Sequence, residues 1–232
     1  MLAVPLLLGV AASRPDAWQV ILAAAAVAAY LAGAAAVDWV RARRREYAIP
    51  AAVFGAVAAA AGSTLLVARP GLWPIVGLAA LAATVAIGAA AMGRPRSLVA
   101  SLAQAAQATA LVPAAALVTG QPLGDATLRA TLLAGLYLGG SVLLVRSLIR
   151  ERGNAAFRAA SIAFHAVGVA VAAWLLPWPY AILAALLATR AAVLPAVQLR
   201  TARGLRLRPI HIGLVEIAAS VAVVGLGFAI GF

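Results

Sequence analysis

The sequence predicts an all-α fold: a polytopic transmembrane helical bundle of about nine helices, the first truncated, forming a single domain over residues 1–232. Three observations carry this prediction. First, 66% of the residues are hydrophobic and only 10% are charged, whereas a soluble domain is about half apolar and about a quarter charged. A water-soluble fold has nowhere to hide that much apolar surface. Second, the apolar residues fall in segments of the length a helix needs, about 20 residues, to cross a hydrocarbon core of roughly 30 Å. They lack the strict alternation of barrel strands, and only helices and closed barrels satisfy every backbone group in lipid. Third, arginine fills every second gap between segments and nearly deserts the others. This is the signature of loops held on one side of a bilayer.

The elements follow in order. Met1 to about Ala12 is apolar but too short to span. It ends Val10-Ala11-Ala12-Ser13, as a cleavage site can, yet no basic residue precedes Leu2, as a signal peptide requires. The expectation is a span that lacks its start. Longer segments run from about Trp18 to Val40, Tyr47 to Val67, Leu72 to Met92, and Ser97 to Thr119. Four more run from about Thr127 to Ile149, Ala155 to Leu176, Tyr180 to Leu199, and Ile210 to Phe232. Pro and Gly punctuate the breaks, at Arg69-Pro70-Gly71, Gly93-Arg94-Pro95, Gly120-Gln121-Pro122 and Pro177-Trp178-Pro179 among others. The loops are short, so consecutive helices are expected to be antiparallel neighbours.

Charge sets the expected orientation. Arg41, Arg43, Arg44 and Arg45 crowd one gap, Arg94 and Arg96 the next, then Arg150 and Arg152, then Arg200, Arg203, Arg206 and Arg208. Placing these gaps in the cytoplasm puts the N-terminus inside and the C-terminus outside. Trp18, Trp73, Trp178 and Tyr180 then mark the outer boundary as an aromatic belt. The expected location is the bacterial plasma membrane, crossed many times, with the lipid bilayer as the first partner. The net charge of +12 invites a nucleic-acid reading, but these charges sit in short loops that topology already explains, so no nucleic-acid partner is expected. All basic residues are Arg, there is no Cys, and His occurs twice. Thiol chemistry and His-rich metal clusters are thereby excluded, and neither a metal nor a cofactor is expected. The sequence shows no GxSxG, Walker, HExxH or GxGxxG motif, so no catalytic residue is assigned.

The polar residues inside or beside the spans are the candidate site. Ionisable residues within membrane helices are functional candidates by default. Asp38 ends the second segment beside the arginine run. It stands three residues from Arg41, close enough to pair on one helical face, and it could equally serve a ligand together with Arg41 and Arg45. Arg146 and Arg150 share a helical face, with Glu151 and Asn154 just beyond. Arg146 can snorkel outward, or the two guanidinium groups can grip an anion. Glu216 lies deepest, past His211, and needs a partner from a neighbouring helix, Arg146 or Arg190. His165 is mid-segment. Gln104 and Gln107 share one face of the fifth segment, which Pro113 is placed to bend. Together Asp38, Arg41, Arg45, Gln104, Gln107, Arg146, Arg150, Glu151, Asn154, His165, His211 and Glu216 suggest a polar cavity open to the cytoplasm. Interhelical hydrogen-bonding explains the same residues without a ligand.

Several stretches resemble the YwiC-like family of bacterial integral membrane proteins. They are Leu2-Ala3-Val4-Pro5-Leu6-Leu7-Leu8-Gly9, Arg146 through Asn154, His165, and Arg208-Pro209-Ile210-His211-Ile212-Gly213-Leu214-Val215-Glu216. That resemblance implies a multi-pass protein and no particular chemistry. Family members usually carry a His-Gly-Ala-Trp segment before the first span, which this chain lacks. A looser similarity in architecture is to the UbiA-type intramembrane prenyltransferases, which implies a UbiA-like helix arrangement. Their Asp-rich loops hold magnesium on a prenyl diphosphate. Here the matching places hold Asp38 with Arg41, Arg43, Arg44 and Arg45, and Arg146 with Arg150, Glu151 and Arg152. Mg²⁺ sites need carboxylates, whereas Arg holds phosphate directly. Three readings therefore stay open: a protein that binds or transports a small or lipid-linked anion, an enzyme acting on a prenyl or lipid (di)phosphate, and a non-catalytic assembly partner of another membrane complex.

Overall fold

The computed structural model describes residues 2–200 and 209–232. Among these residues the chain is helical and contains no strand. A short helix α1 (Ala3–Ala11) precedes α2 (Ala17–Ala42) and α3 (Arg45–Ala68). A single 3-10 turn (Pro70–Leu72) leads into α4 (Trp73–Ala91). Then come α5 (Leu98–Thr109), α6 (Leu111–Val118), α7 (Asp125–Ile149), α8 (Ala155–Leu175), α9 (Trp178–Arg200) and α10 (Pro209–Ile230). Eight stretches are long and apolar enough to cross a membrane, with α5 and α6 together making one of them. The chain is a multi-pass integral membrane protein. The last basic gap, with Arg203, Arg206 and Arg208, lies outside the described residues.

The helix ends obey local chemistry. Asp16 caps α2: its carboxylate accepts from the Trp18 backbone at 3.2 Å, while the Gln19 side chain accepts from the Asp16 backbone at 3.2 Å. Ser97 and Asn154 cap α5 and α8, accepting from the Ala100 and Phe157 backbones at 3.2 and 3.0 Å. Each satisfies an N–H that has no partner within its helix. The segment expected as one helix from Ser97 to Thr119 is two. Pro113 has no N–H to offer the Thr109 carbonyl, and the helix breaks at Ala110.

The helices form two compact units, Met1–Thr131 and Leu132–Phe232, whose boundary falls within α7. In the first unit α2 packs along α3, α1 packs on α6, and α4 meets both α2 and α5. Its core gathers Leu22, Ala25, Leu65, Leu72, Ala114, Ala115 and Val118. The α1–α6 contact is close because Gly9 has no side chain: a Cβ there would stand 2.6 Å from that of Ala115. α6 ends at Val118, and the last carbonyls of a helix need donors from outside it. Gln19, buried on α2, donates to the Ala115 carbonyl at 3.2 Å and to Ser13 Oγ at 2.8 Å. Arg69 Nε donates to the Val118 carbonyl at 2.9 Å and its guanidinium lies 5.5 Å from the centre of the Trp18 ring. Arg69 interrupts the alternation of the arginines, and this capping role accounts for it. In the second unit α8 packs along α9, α10 meets α9, and Leu144, Leu148, Ala191 and Ile212 form a core cluster.

Candidate functional site

The second unit carries a polar layer across the middle of its helices. Tyr137, His165, Arg190 and Ser220 stand close to the midpoints of α7, α8, α9 and α10. Residues four apart share a helical face. Tyr137 and Ser141 therefore present one polar edge of α7, and Glu216 with Ser220 presents one of α10. These two edges meet. Ser141 Oγ donates to Glu216 Oε2 at 2.6 Å. The Tyr137 hydroxyl donates to the Glu216 backbone carbonyl at 3.2 Å and shares a 2.7 Å hydrogen bond with Ser220 Oγ. From α9, Arg190 Nη1 donates to Glu216 Oε1 at 2.6 Å. Both oxygens of the carboxylate are thus engaged, and the side chains of Arg190 and Glu216 are only 11% and 19% exposed.

α8 adds His165. Its Nδ1 bonds the Ser161 carbonyl at 2.7 Å. A carbonyl can only accept, so Nδ1 is the donor and carries a proton. Nε2 faces α7 at Gly140, where a Cβ would come within 2.8 Å of it. Gly139 gives Phe164 similar room, with a Cβ there 3.1 Å from Phe164 Cζ. The paired glycines let α8 lay His165 and Phe164 against the α7 backbone. Two buried polar atoms, Arg190 Nε and Ser161 Oγ, have no hydrogen-bond partner among the described residues. Leaving such an atom unpaired in a dry interior costs about 1–3 kcal/mol, so this layer keeps hydrogen-bonding capacity that no other described residue takes up.

A second cluster lies at the turn from α7 to α8. Arg146 donates to Glu151 Oε1 through Nε at 3.3 Å and Nη2 at 3.2 Å, and its guanidinium lies 5.9 Å from the centre of the Phe157 ring. Asn154 donates to Glu151 Oε2 at 3.1 Å while capping α8. Arg150 is exposed. The cavity bounded by Ser147, Glu151, Arg152, Asn154, Arg158 and Gln198 measures about 10 Å³, room for about one water.

The structure thus brings Arg146, Glu151 and Asn154 together, and gives Glu216 the partner Arg190 rather than Arg146. His211, in the first turn of α10, is exposed. In the first unit Asp38 pairs with Arg41 at 3.7 Å, both about half exposed, and Arg45 is exposed. Gln104 is exposed on α5 and Gln107 is half-buried. Tyr137, Ser141, Ser161 and Ser220 did not stand out in the sequence. Hydroxyls are unremarkable in apolar helices, and the only available signal was the four-residue spacing of 137 with 141 and of 216 with 220.

The profile of the YwiC-like protein family matches residues 1–117, half of the chain. The polar layer from Tyr137 to Ser220 lies beyond the matched residues. No curated protein and no solved structure matches the chain. With that match and eight stretches able to cross a bilayer, the chain belongs to the YwiC-like family of membrane proteins.

Proposed function

We propose that this chain binds or transports a small or lipid-linked anion in the bacterial plasma membrane, and that the Arg190 guanidinium is where the anion sits. One observation carries the reading: a part-buried Arg190–Glu216 pair at 2.6 Å, in helices long and apolar enough to cross lipid. Such a pair is a poor stabiliser, because desolvating two charges consumes most of their mutual attraction, and apolar side chains of similar size hold a core as well. What it offers instead is chemistry. Guanidinium is the side chain that grips carboxylate and phosphate with paired hydrogen bonds. Arg190 already holds a carboxylate, and its Nε has no partner among the described residues. The hydroxyls of Tyr137, Ser141 and Ser220 supply neutral donors beside Glu216.

Access from the cytoplasmic face is supported by position. Ser141 and Glu216 lie in the halves of α7 and α10 that adjoin arginine-rich gaps. The α7–α8 turn is the weaker candidate. Its Arg146 is taken up by Glu151, and the enclosed space is about 10 Å³.

The test is binding. Purified protein in lipid nanodiscs is titrated with dimethyl phosphate, a small anion, and with a short-chain phosphatidylglycerol, a lipid-linked one. The wild type should gain thermal stability with one of them, and Arg190→Gln should gain none. An Arg190→Gln protein that is stabilised as much as the wild type would remove Arg190 from the site.

A further inference from the structure

Resting on that reading, we infer that the mid-span layer takes up its anion together with a proton: a monovalent oxyanion displaces the Glu216 carboxylate from Arg190, and the released carboxylate is protonated. The argument is charge balance. As it stands the layer is neutral, with one guanidinium and one carboxylate joined at 2.6 Å. The groups facing Glu216 from the other helices are Arg190 on α9 and the hydroxyls of Tyr137 and Ser141 on α7. Ser220 completes the set from its own helix. His165, at the midpoint of α8, is the remaining titratable group of the layer. Its proton-bearing Nδ1 is committed to the Ser161 carbonyl. Arg190 is the one permanent positive charge among these groups, because guanidinium is not deprotonated in proteins.

An anion added to this layer without a proton would leave one guanidinium facing two negative charges. A net charge of that kind, buried in the middle of a membrane helix bundle, is strongly disfavoured. Adding one proton with the anion restores neutrality. The bookkeeping of charge is complete: the anion enters and bonds Arg190, the Arg190–Glu216 contact breaks, and one proton lands on a Glu216 oxygen. Protonated Glu216 can then donate a hydrogen bond where it previously accepted them, and Ser141 Oγ is placed to receive it. On release the steps reverse. The layer so built carries an acid in its neutral sum, and the substrate class is a monovalent carboxylate or phosphodiester.

The experiment counts protons. Protein in nanodiscs, in weakly buffered solution with a pH indicator, is mixed with dimethyl phosphate or short-chain phosphatidylglycerol. Neither probe titrates near neutral pH, so any proton uptake belongs to the protein. The wild type should take up about one proton per bound anion, the number that keeps the buried layer neutral. Glu216→Gln should bind the same probe more tightly with no proton uptake, because a neutral amide already stands where the protonated acid would. Arg190→Gln should bind neither probe. Anion binding by the wild type without proton uptake overturns this inference and leaves the anion reading standing. Proton uptake that persists in Glu216→Gln overturns the assignment to Glu216. Failure of the wild type to bind either probe overturns both readings. Should a variant fail to fold, the proton count of the wild type still decides.

Discussion

Arg190 Nη1 and Glu216 Oε1 stand 2.6 Å apart and join α9 to α10 through a pair that solvent barely reaches. Removing one partner leaves the other charged and alone, at a cost of about 3–5 kcal/mol, whereas replacing both with apolar side chains of similar volume is close to neutral. Arg190→Met and Glu216→Leu should therefore each lower the unfolding midpoint in detergent markedly, and the double variant should recover most of the loss. If the double variant loses as much as the two single losses combined, the two residues do not act as a pair.

A second prediction concerns α7 and α8. His165 is buried and tied to the Ser161 carbonyl, with its Nε2 where a Cβ of residue 140 would come within 2.8 Å. Gly140→Ala must push the ring off that hydrogen bond or spread the helices. Overpacking of this kind costs about 1–3 kcal/mol. Gly33, on α2, has nothing within 4 Å of a Cβ. There the same substitution should stabilise the helix by up to about 1 kcal/mol. Opposite signs in the two unfolding midpoints are expected, and a Gly140→Ala protein as stable as the wild type would mean that α8 does not approach α7 as described.

The membrane architecture was legible because lipid imposes a coarse rule. A span must be apolar along its whole length, so its ends show as arginine, proline and glycine. The expected segment from Ala155 to Leu176 meets α8 (Ala155–Leu175), and that from Tyr47 to Val67 meets α3 (Arg45–Ala68). The same rule hides what lies inside. When nearly every residue of a helix is apolar, periodicity no longer tells which face looks inward, and Tyr137, Ser141 and Ser220 carry no mark of their convergence on Glu216. Charge was the exception. Glu216 could be expected to have a partner, and Arg190 was one of two candidates, but choosing between them required the register of α7 against α10. Arg146 proved to satisfy itself locally through Glu151, five residues on.

In the first unit, Gln19 holds three groups together. Its side chain accepts from the Asp16 backbone and donates to Ser13 and to the Ala115 carbonyl. Gln19→Leu fills similar space but strands the Ala115 carbonyl, which lies in the last turn of α6, where carbonyls lack donors from their own helix. The expected loss is about 1–3 kcal/mol, the cost of a buried acceptor left unpaired. Gln19→Glu keeps the acceptor for Asp16 but loses the donor, so it should be no better than Leu. If both variants unfold at the wild-type midpoint, the anchoring of α2 to α6 contributes nothing measurable.

The turn between α2 and α3 is closed by Arg43, whose backbone sits in the left-handed region at φ 56° while its N–H bonds the Trp39 carbonyl at 2.8 Å. Glycine is the usual residue after a helix C-terminus because it enters this region without steric penalty, and a residue with a Cβ pays roughly 1–2 kcal/mol there. The other glycine-closed turns follow the rule, with Gly93, Gly120 and Gly153 all at positive φ. Arg43→Gly should therefore raise stability by about 1 kcal/mol, with the larger unfolded-state entropy of glycine offsetting part of the relief. Orientation should not change, because Arg41, Arg44 and Arg45 remain in the gap. The comparison is the unfolding midpoint of the two proteins in the same micelle. A lower midpoint for Arg43→Gly would show that the Arg43 side chain makes an interaction worth more than the strain its backbone carries.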